Sequence, residues 1–236
     1  MDSHKKMENL FVVGTDTGVG KTVLALLLMQ FFYNKGYSPF YLKPVQTGCK
    51  DANNFDSDAK FIYRNVEQLK DKEAADSIVY CFKNPKAPLF AARDDGKTID
   101  LSVIEKTVVE RAMSYSPLII EGAGGVLVPV VGSTFMADLP VLVNARPVIV
   151  ARAGLGTINH TLLTIEALVK RGLRPLGIVF MDAGKEETPP QMITENKLAV
   201  EEASSVRVTG VIGKITDFSK PPQDFYLPLA KMFNEL

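Results

Sequence analysis

Short apolar runs alternate along the chain with longer stretches of helical period. Leu10-Phe11-Val12-Val13 is continuous and rich in β-branched residues, and it stops at Gly14; such a run predicts a strand buried on both faces. Residues 22–35 follow with a helical pattern that Gly36 closes, as glycine commonly does. The same pattern predicts a strand at Phe40-Tyr41-Leu42, a helix over 56–63 capped by Asp56 or Ser57, and a helix over 100–115 capped by Asp100 or Ser102 with Glu105 in its first turn. Leu118-Ile119-Ile120 predicts a strand running into Glu121-Gly122-Ala123-Gly124-Gly125, and Val148-Ile149-Val150-Ala151 another. A helix over 157–171 closed by Gly172, a strand over 176–180, a helix over 193–203 and a last strand over 206–212 complete the series, with Pro189-Pro190 and Pro221-Pro222 as short loops.

Strand-helix-strand alternation implies crossover connections in a parallel sheet. The expected fold is a single α/β domain over 1–236: one doubly wound, mostly parallel sheet with helices on both faces, of the P-loop NTPase type. Residues 1–8 are polar and charged, and are expected to be a disordered extension without the apolar core of a secretory signal. The longest apolar stretch, residues 23–29, falls far short of the roughly 20 residues of a membrane span, so no membrane partner is expected. The 27 Lys and Arg are balanced by 27 Asp and Glu, which argues against binding nucleic acid, since counterion release needs a basic surface. Cys49 and Cys81, the only two cysteines, are too few for a metal knuckle or disulfide framework; inert thiols and a cytoplasmic setting are expected.

The strongest chemical signal is Gly14-Thr15-Asp16-Thr17-Gly18-Val19-Gly20-Lys21-Thr22, between the first strand and the first helix. Converging backbone N–H groups and a helix N-terminus make a phosphate cradle, where a lysine reaches the terminal phosphates and a Thr hydroxyl ligates Mg²⁺. The strict motif has glycine where Thr15 stands; here it is one place earlier, a variant P-loop. Glu121 ends a predicted strand, where open α/β sheets bind ligands, and is a plausible Mg²⁺ co-ligand with Thr22. Lys43-Pro44-Val45-Gln46-Thr47-Gly48 follows the second strand, and there Lys43 is either a second cation for an anionic substrate or a surface lysine before a turn. Asp58, at a helix start, is a weaker candidate because acidic residues favour that position anyway. Gly154-Leu155-Gly156-Thr157-Ile158-Asn159-His160 opens a helix whose free N–H groups suit a carboxylate, and His160 is expected to be structural.

Taken together, the motifs resemble the dethiobiotin synthetase family. Four blocks match in order: Gly14 through Thr22, Lys43-Pro44-Val45 with Thr47-Gly48, Glu121 through Gly125, and Leu155 through His160. The resemblance implies an ATP-dependent ligase that closes 7,8-diaminononanoate with CO₂ into dethiobiotin, through a carbamate and a carbamic-phosphoric anhydride, releasing ADP and phosphate. It implies catalytic roles for Lys43, Lys21 and Thr17, and Mg²⁺ on Thr22, Asp58 and Glu121. ATP is expected on Gly18, Val19, Gly20, Lys21, Thr22 and Val23, on Asp58, Glu121, Gly122, Ala123 and Gly124, and on Met181, Asp182, Gly213, Lys214 and Ile215. The diamine is expected on Thr17, Lys43, Thr47 and Gly124, with Thr157, Ile158 and Asn159 reaching the substrate of the other subunit of a homodimer. Two departures stand out. Many members have Glu in place of Gly18, and an Asn-Asp pair, whose Asn recognises adenine, in place of Met181-Asp182.

Two rivals share parts of this pattern. A ParA- or MinD-like ATPase switch acting through a partner would put a signature lysine where Asp16 stands, and often carries a basic or amphipathic tail. A cobyrinate-type amidoligase would bring a glutaminase domain, for which 236 residues leave no room.

Overall fold

The computed structural model describes residues 7–184 and 186–234. Of the predicted extension over 1–8, residues 1–6 lie outside the described residues; the Met7 amide donates to Ser116 Oγ at 2.9 Å, and Glu8 pairs with Arg146 at 3.4 Å. In chain order the elements begin with β1 (Asn9–Gly14), α1 (Lys21–Asn34), β2 (Phe40–Thr47), α2 (Asp58–Asn65), β3 (Ile78–Phe82), α3 (Pro88–Asp94), α4 (Leu101–Ala112) and β4 (Leu118–Gly125). They continue with β5 (Pro129–Val131), β6 (Thr134–Phe135), α5 (Leu139–Leu142), β7 (Ala145–Arg152), α6 (Thr157–Val169), β8 (Gly177–Asp182), α7 (Pro190–Ser204), β9 (Val208–Gly213) and α8 (Leu227–Met232).

Seven strands form one sheet in the order β3-β2-β4-β1-β7-β8-β9, every neighbouring pair parallel, and β5 and β6 make a separate small hairpin. Period-two alternation along the strands splits the core into two layers. Leu10, Val12, Ile119, Val148 and Val150 face α1, α2 and α8, whereas Phe11, Val13, Ile120, Ile149 and Ala151 face the remaining helices. The expected doubly wound fold is therefore the observed one.

Ser57, one of the two expected caps, accepts from the Lys60 amide, and Asp100 caps α4. The helix predicted over 100–115 stops at Ala112, and Pro190, expected in a loop, opens α7, where its missing N–H costs nothing. β3, α3, the β5–β6 hairpin and α8 have no counterpart in the predicted elements. β3 is a half-buried edge strand, and α3 and α8 have 7 and 6 residues, too short to show a helical period.

Register decides what the sheet presents at its carboxyl edge. Val12 is opposite Glu121 across β1 and β4, and Leu42 is opposite Ile120 across β2 and β4, so Lys43 follows beside Glu121. β2, β3 and β4 lie on one side of β1 and β7, β8 and β9 on the other, and the crevice at such a switch point is where ligands bind in this class of sheet.

Candidate active site

The loop from Gly14 to Gly20 joins β1 to α1 in a conformation only glycine tolerates at two points. Gly18 has φ 69° and Gly20, the residue capping α1, φ 103°, both in the left-handed region. The displaced first glycine of the motif also has a steric reason. A Cβ on Gly14 would fall 2.8 Å from the Asp16 carbonyl and 2.9 Å from Lys21 Nζ, so the side chain is excluded at position 14 rather than at 15. Lys21 folds back to donate to the Asp16 carbonyl at 2.9 Å. Burial, with the Lys43 charge adding to it, lowers its pKa from 10.5 to about 8.

Four side chains from four elements meet beside this loop. Lys43 Nζ lies 2.6 Å from Asp58 Oδ2 and 2.7 Å from Glu121 Oε1, and donates to the Gly122 carbonyl at 3.1 Å. The Thr22 hydroxyl reaches both carboxylates, at 3.1 Å to Asp58 and 2.9 Å to Glu121. Lys43 is therefore the buried site cation, not the surface lysine that the sequence left open; it is 3% exposed. Burial works to lower its pKa, but Glu121 and Asp58 outweigh burial and the net direction is up. Burial likewise works to raise Asp58, and Lys43 turns the net direction down. Glu121, 1% exposed, is raised by burial, with Lys43 opposing and Asp58 adding to it.

These groups line a cavity of about 450 Å³ together with Thr17, Gly18, Gly20, Val23, Gln46, Thr47, Ala123 and Gly124. A hydroxyl and two carboxylates are hard oxygen donors, the set that suits Mg²⁺ when phosphate oxygens complete its shell. A second cavity of about 640 Å³ adjoins the loop, lined by Val19, Arg152, Met181, Gly213, Lys214, Ile215 and Phe218. Most of the expected nucleotide residues thus fall around two adjoining cavities that share Gly18, Gly20 and Val23.

Gly122 lines neither cavity, and the other exception is Asp182. Its carboxylate accepts from the Thr188 amide at 3.1 Å and from the Thr188 hydroxyl at 2.8 Å, and it is absent from the lining of either cavity. Thr157, Ile158 and Asn159 open α6 outside both linings as well. His160 is exposed on the same turn, and among the described residues no carboxylate is bonded to it to orient it as a general base.

Other contributions were not anticipated from sequence. The Gln46 side-chain carbonyl accepts from the Asp58 amide at 3.1 Å, and Tyr41 donates to Glu121 Oε2 at 2.8 Å. Arg152 donates to the Thr17 carbonyl at 3.5 Å. Its one sequence signal is a cation directly after the apolar run of β7. Cys49 and Cys81, far apart in sequence, have sulfurs 3.3 Å apart beside β2. Burial raises both thiols, Cys81 to about 12, a direction that favours the protonated form.

A family model described as an AAA domain matches residues 8–222. The ATP-dependent dethiobiotin synthetase of Anaeromyxobacter dehalogenans (strain 2CP-1) is 38% identical over 193 residues, covering 82% of this chain and 85% of that one. That of Hydrogenobaculum sp. (strain Y04AAS1) is 39% identical over 180 residues, covering 75% and 78%. The Methanococcus vannielii protein of the same name is 30% identical over 223 residues, covering 94% and 98%. Among solved structures, the Pyrococcus furiosus cell division ATPase MinD superposes with TM-score 0.57 at 16% identity, covering 97% of this chain and 99% of that one. An ATP complex of a McdA variant from Cyanothece superposes with TM-score 0.59 at 13% identity, covering 99% and 97%. At such identities the two structures bear on the fold alone, and it is a P-loop NTPase fold. The matched sequences carry the identity: this chain is a ligase-type enzyme belonging to the ATP-dependent dethiobiotin synthetase family.

Proposed function

We propose that the protein carries out ATP-dependent closure of 7,8-diaminononanoate and CO₂ to dethiobiotin, with the chemistry divided between its two buried lysines. The observation that carries this reading is Lys43: a second buried ammonium, between Asp58 and Glu121 in the cavity that the P-loop lysine also lines. Phosphate binding accounts for Lys21 alone. A further cation on β2, one strand removed from β1, suits a second anion next to the γ-phosphate, and a carbamate is such an anion.

In this reading one substrate amine adds to CO₂ and loses a proton, giving the carbamate, whose charge Lys43 offsets. A carbamate oxygen attacks the γ-phosphorus and ADP leaves, while Lys21 and the N–H groups of the loop hold the transferred group. The second amine then attacks the carbamoyl carbon, phosphate leaves and the ring closes. Both reacting partners sit on one molecule in this last step, so the effective concentration is high and no protein nucleophile is needed. Thr22, Asp58 and Glu121 fit as holders of Mg²⁺, which when bound supplies positive charge to the phosphates.

A homodimer completes the reading, with the substrate carboxylate at the start of the partner's α6, where free N–H groups and the helix dipole favour an anion. Leu155, 92% exposed directly before that helix, supports a covered position there. The test is phosphate release measured with diamine and bicarbonate supplied singly and together. Release that needs both supports the ligase; full-rate release without the diamine fits an ATPase switch and overturns it.

A further inference from the structure

Glu121 lies under the P-loop with both carboxylate oxygens in use. Oε1 accepts from Thr22 at 2.9 Å and from Lys43 at 2.7 Å, and Oε2 accepts from the Tyr41 hydroxyl at 2.8 Å. Tyr41 stands opposite Ile119 across β2 and β4, two residues before Glu121 on the same strand, so its hydroxyl meets the carboxylate from below while its ring stays in the core. That ring is 1% exposed and packs in the layer formed by α1 and α2. A phenylalanine would fill the layer equally well. The added hydroxyl is costly to bury unless it is hydrogen-bonded, and here its partner is the strand-end carboxylate of the site.

We infer that Tyr41 is a positioning residue for Glu121: by occupying Oε2 it fixes the carboxylate plane and presents Oε1 alone to the divalent cation shared with Thr22 and Asp58. The inference rests on the metal reading above. A carboxylate held only through Oε1 turns about its terminal bond and presents either oxygen. Held at both, it has one orientation, and that orientation points at the Thr22 hydroxyl. Outer residues of this kind typically govern metal affinity by ten- to a hundredfold. Gln46 has the corresponding relation to Asp58, but through the backbone amide, so it places the start of α2 rather than the carboxylate.

The test is binding of Mn²⁺ to the full chain saturated with ADP, followed by the paramagnetic resonance of free Mn²⁺, for four proteins: unmodified, Tyr41→Phe, Glu121→Gln and the double variant. Tyr41→Phe is expected to bind Mn²⁺ about tenfold more weakly. Its affinity for ADP in chelator should stay within about twofold of the unmodified value, since the P-loop is untouched, and its thermal midpoint should show the fold retained. In the Glu121→Gln background the same substitution should change Mn²⁺ affinity by less than about twofold, because the carboxylate it orients is gone. Mn²⁺ affinity unchanged in Tyr41→Phe overturns the inference while leaving the metal reading in place. So does a tenfold loss that persists undiminished in the Glu121→Gln background. An unmodified protein that binds no Mn²⁺ with ADP removes the metal reading and this inference together.

Discussion

Replacing Lys21 by Met is expected to stabilise the fold while abolishing productive use of nucleotide. The Lys21 ammonium is buried, and burial with Lys43 nearby takes its pKa from 10.5 to about 8. At roughly 1.4 kcal/mol per pH unit, this places about 3 kcal/mol of penalty on the charged form near neutrality. Met keeps an unbranched stem in the same space. It gives up the 2.9 Å bond to the Asp16 carbonyl, worth about 1 kcal/mol. The balance is a gain of about 2 kcal/mol, or about 4–8 °C in Tm for a domain of this size. The pH dependence gives a sharper check. Because the folded-state pKa lies below the unfolded value, the unfolded chain binds more protons between about pH 8 and 10.5, and the unmodified protein gains stability as pH rises through that window. Lys21→Met lacks this term, so its advantage should be full at pH 7 and below about 0.5 kcal/mol by pH 9.5. Urea unfolding of both proteins at the two pH values measures it. A variant less stable than the unmodified chain at pH 7, or a difference that does not move with pH, refutes the reasoning.

Lys43→Ala leaves the buried Glu121, with the half-buried Asp58 beside it, without their cation; a loss of about 3 kcal/mol is expected in urea unfolding, and an unchanged midpoint contradicts the buried assignment of Lys43. The same variant should lose activity, with ADP affinity within a few-fold of the unmodified protein by calorimetry, since Lys43 serves the carbamate rather than the phosphates. Gly20→Ala forces a side chain into φ 103° with its Cβ 3.0 Å from Met181; about 1–3 kcal/mol of stability should be lost, with weaker ADP binding, and a Tm equal to the parent's counts against the strained loop. Met181 lines the second cavity without a polar group and Asp182 is tied to Thr188, so GTP and CTP should support turnover within about tenfold of ATP, a difference of about 1.4 kcal/mol or less; a thousandfold preference for ATP in kcat/KM means that another group reads adenine.

The parts of the site that were legible in sequence sit where the chain leaves a buried strand. Lys21, Thr22, Lys43 and Glu121 each follow an apolar run closely, and the carboxyl ends of parallel strands converge whatever the details of register. Glycine at 18 and 20 was legible for the same reason, because phosphate-binding loops need positive φ. Lys43 showed where legibility stops: its place in the chain was plain, but burial against two carboxylates depends on the Leu42–Ile120 register, which no local pattern encodes. Tyr41 read as one more apolar strand residue, since its hydroxyl finds a partner 80 residues away. The Cys49–Cys81 approach depends on the pairing of β2 with β3; β3 is itself a short apolar run, legible as a strand although none was expected there. The tie of Asp182 to Thr188 was not legible because Thr188 lies in an irregular segment, where side-chain partners follow from loop shape rather than from period.

The central claim, that the carbamate is phosphorylated beside Lys43 before the ring closes, is tested most directly by isotope transfer from bicarbonate labelled with heavy carbon and heavy oxygen. The product and the released phosphate are analysed by mass spectrometry within seconds of mixing, before exchange with water dilutes the oxygen label. The account predicts dethiobiotin carrying the heavy carbon and phosphate carrying one heavy oxygen from the carbamate, in equal amounts with ADP. Phosphate released without the heavy oxygen, or released in excess of labelled dethiobiotin, would contradict it.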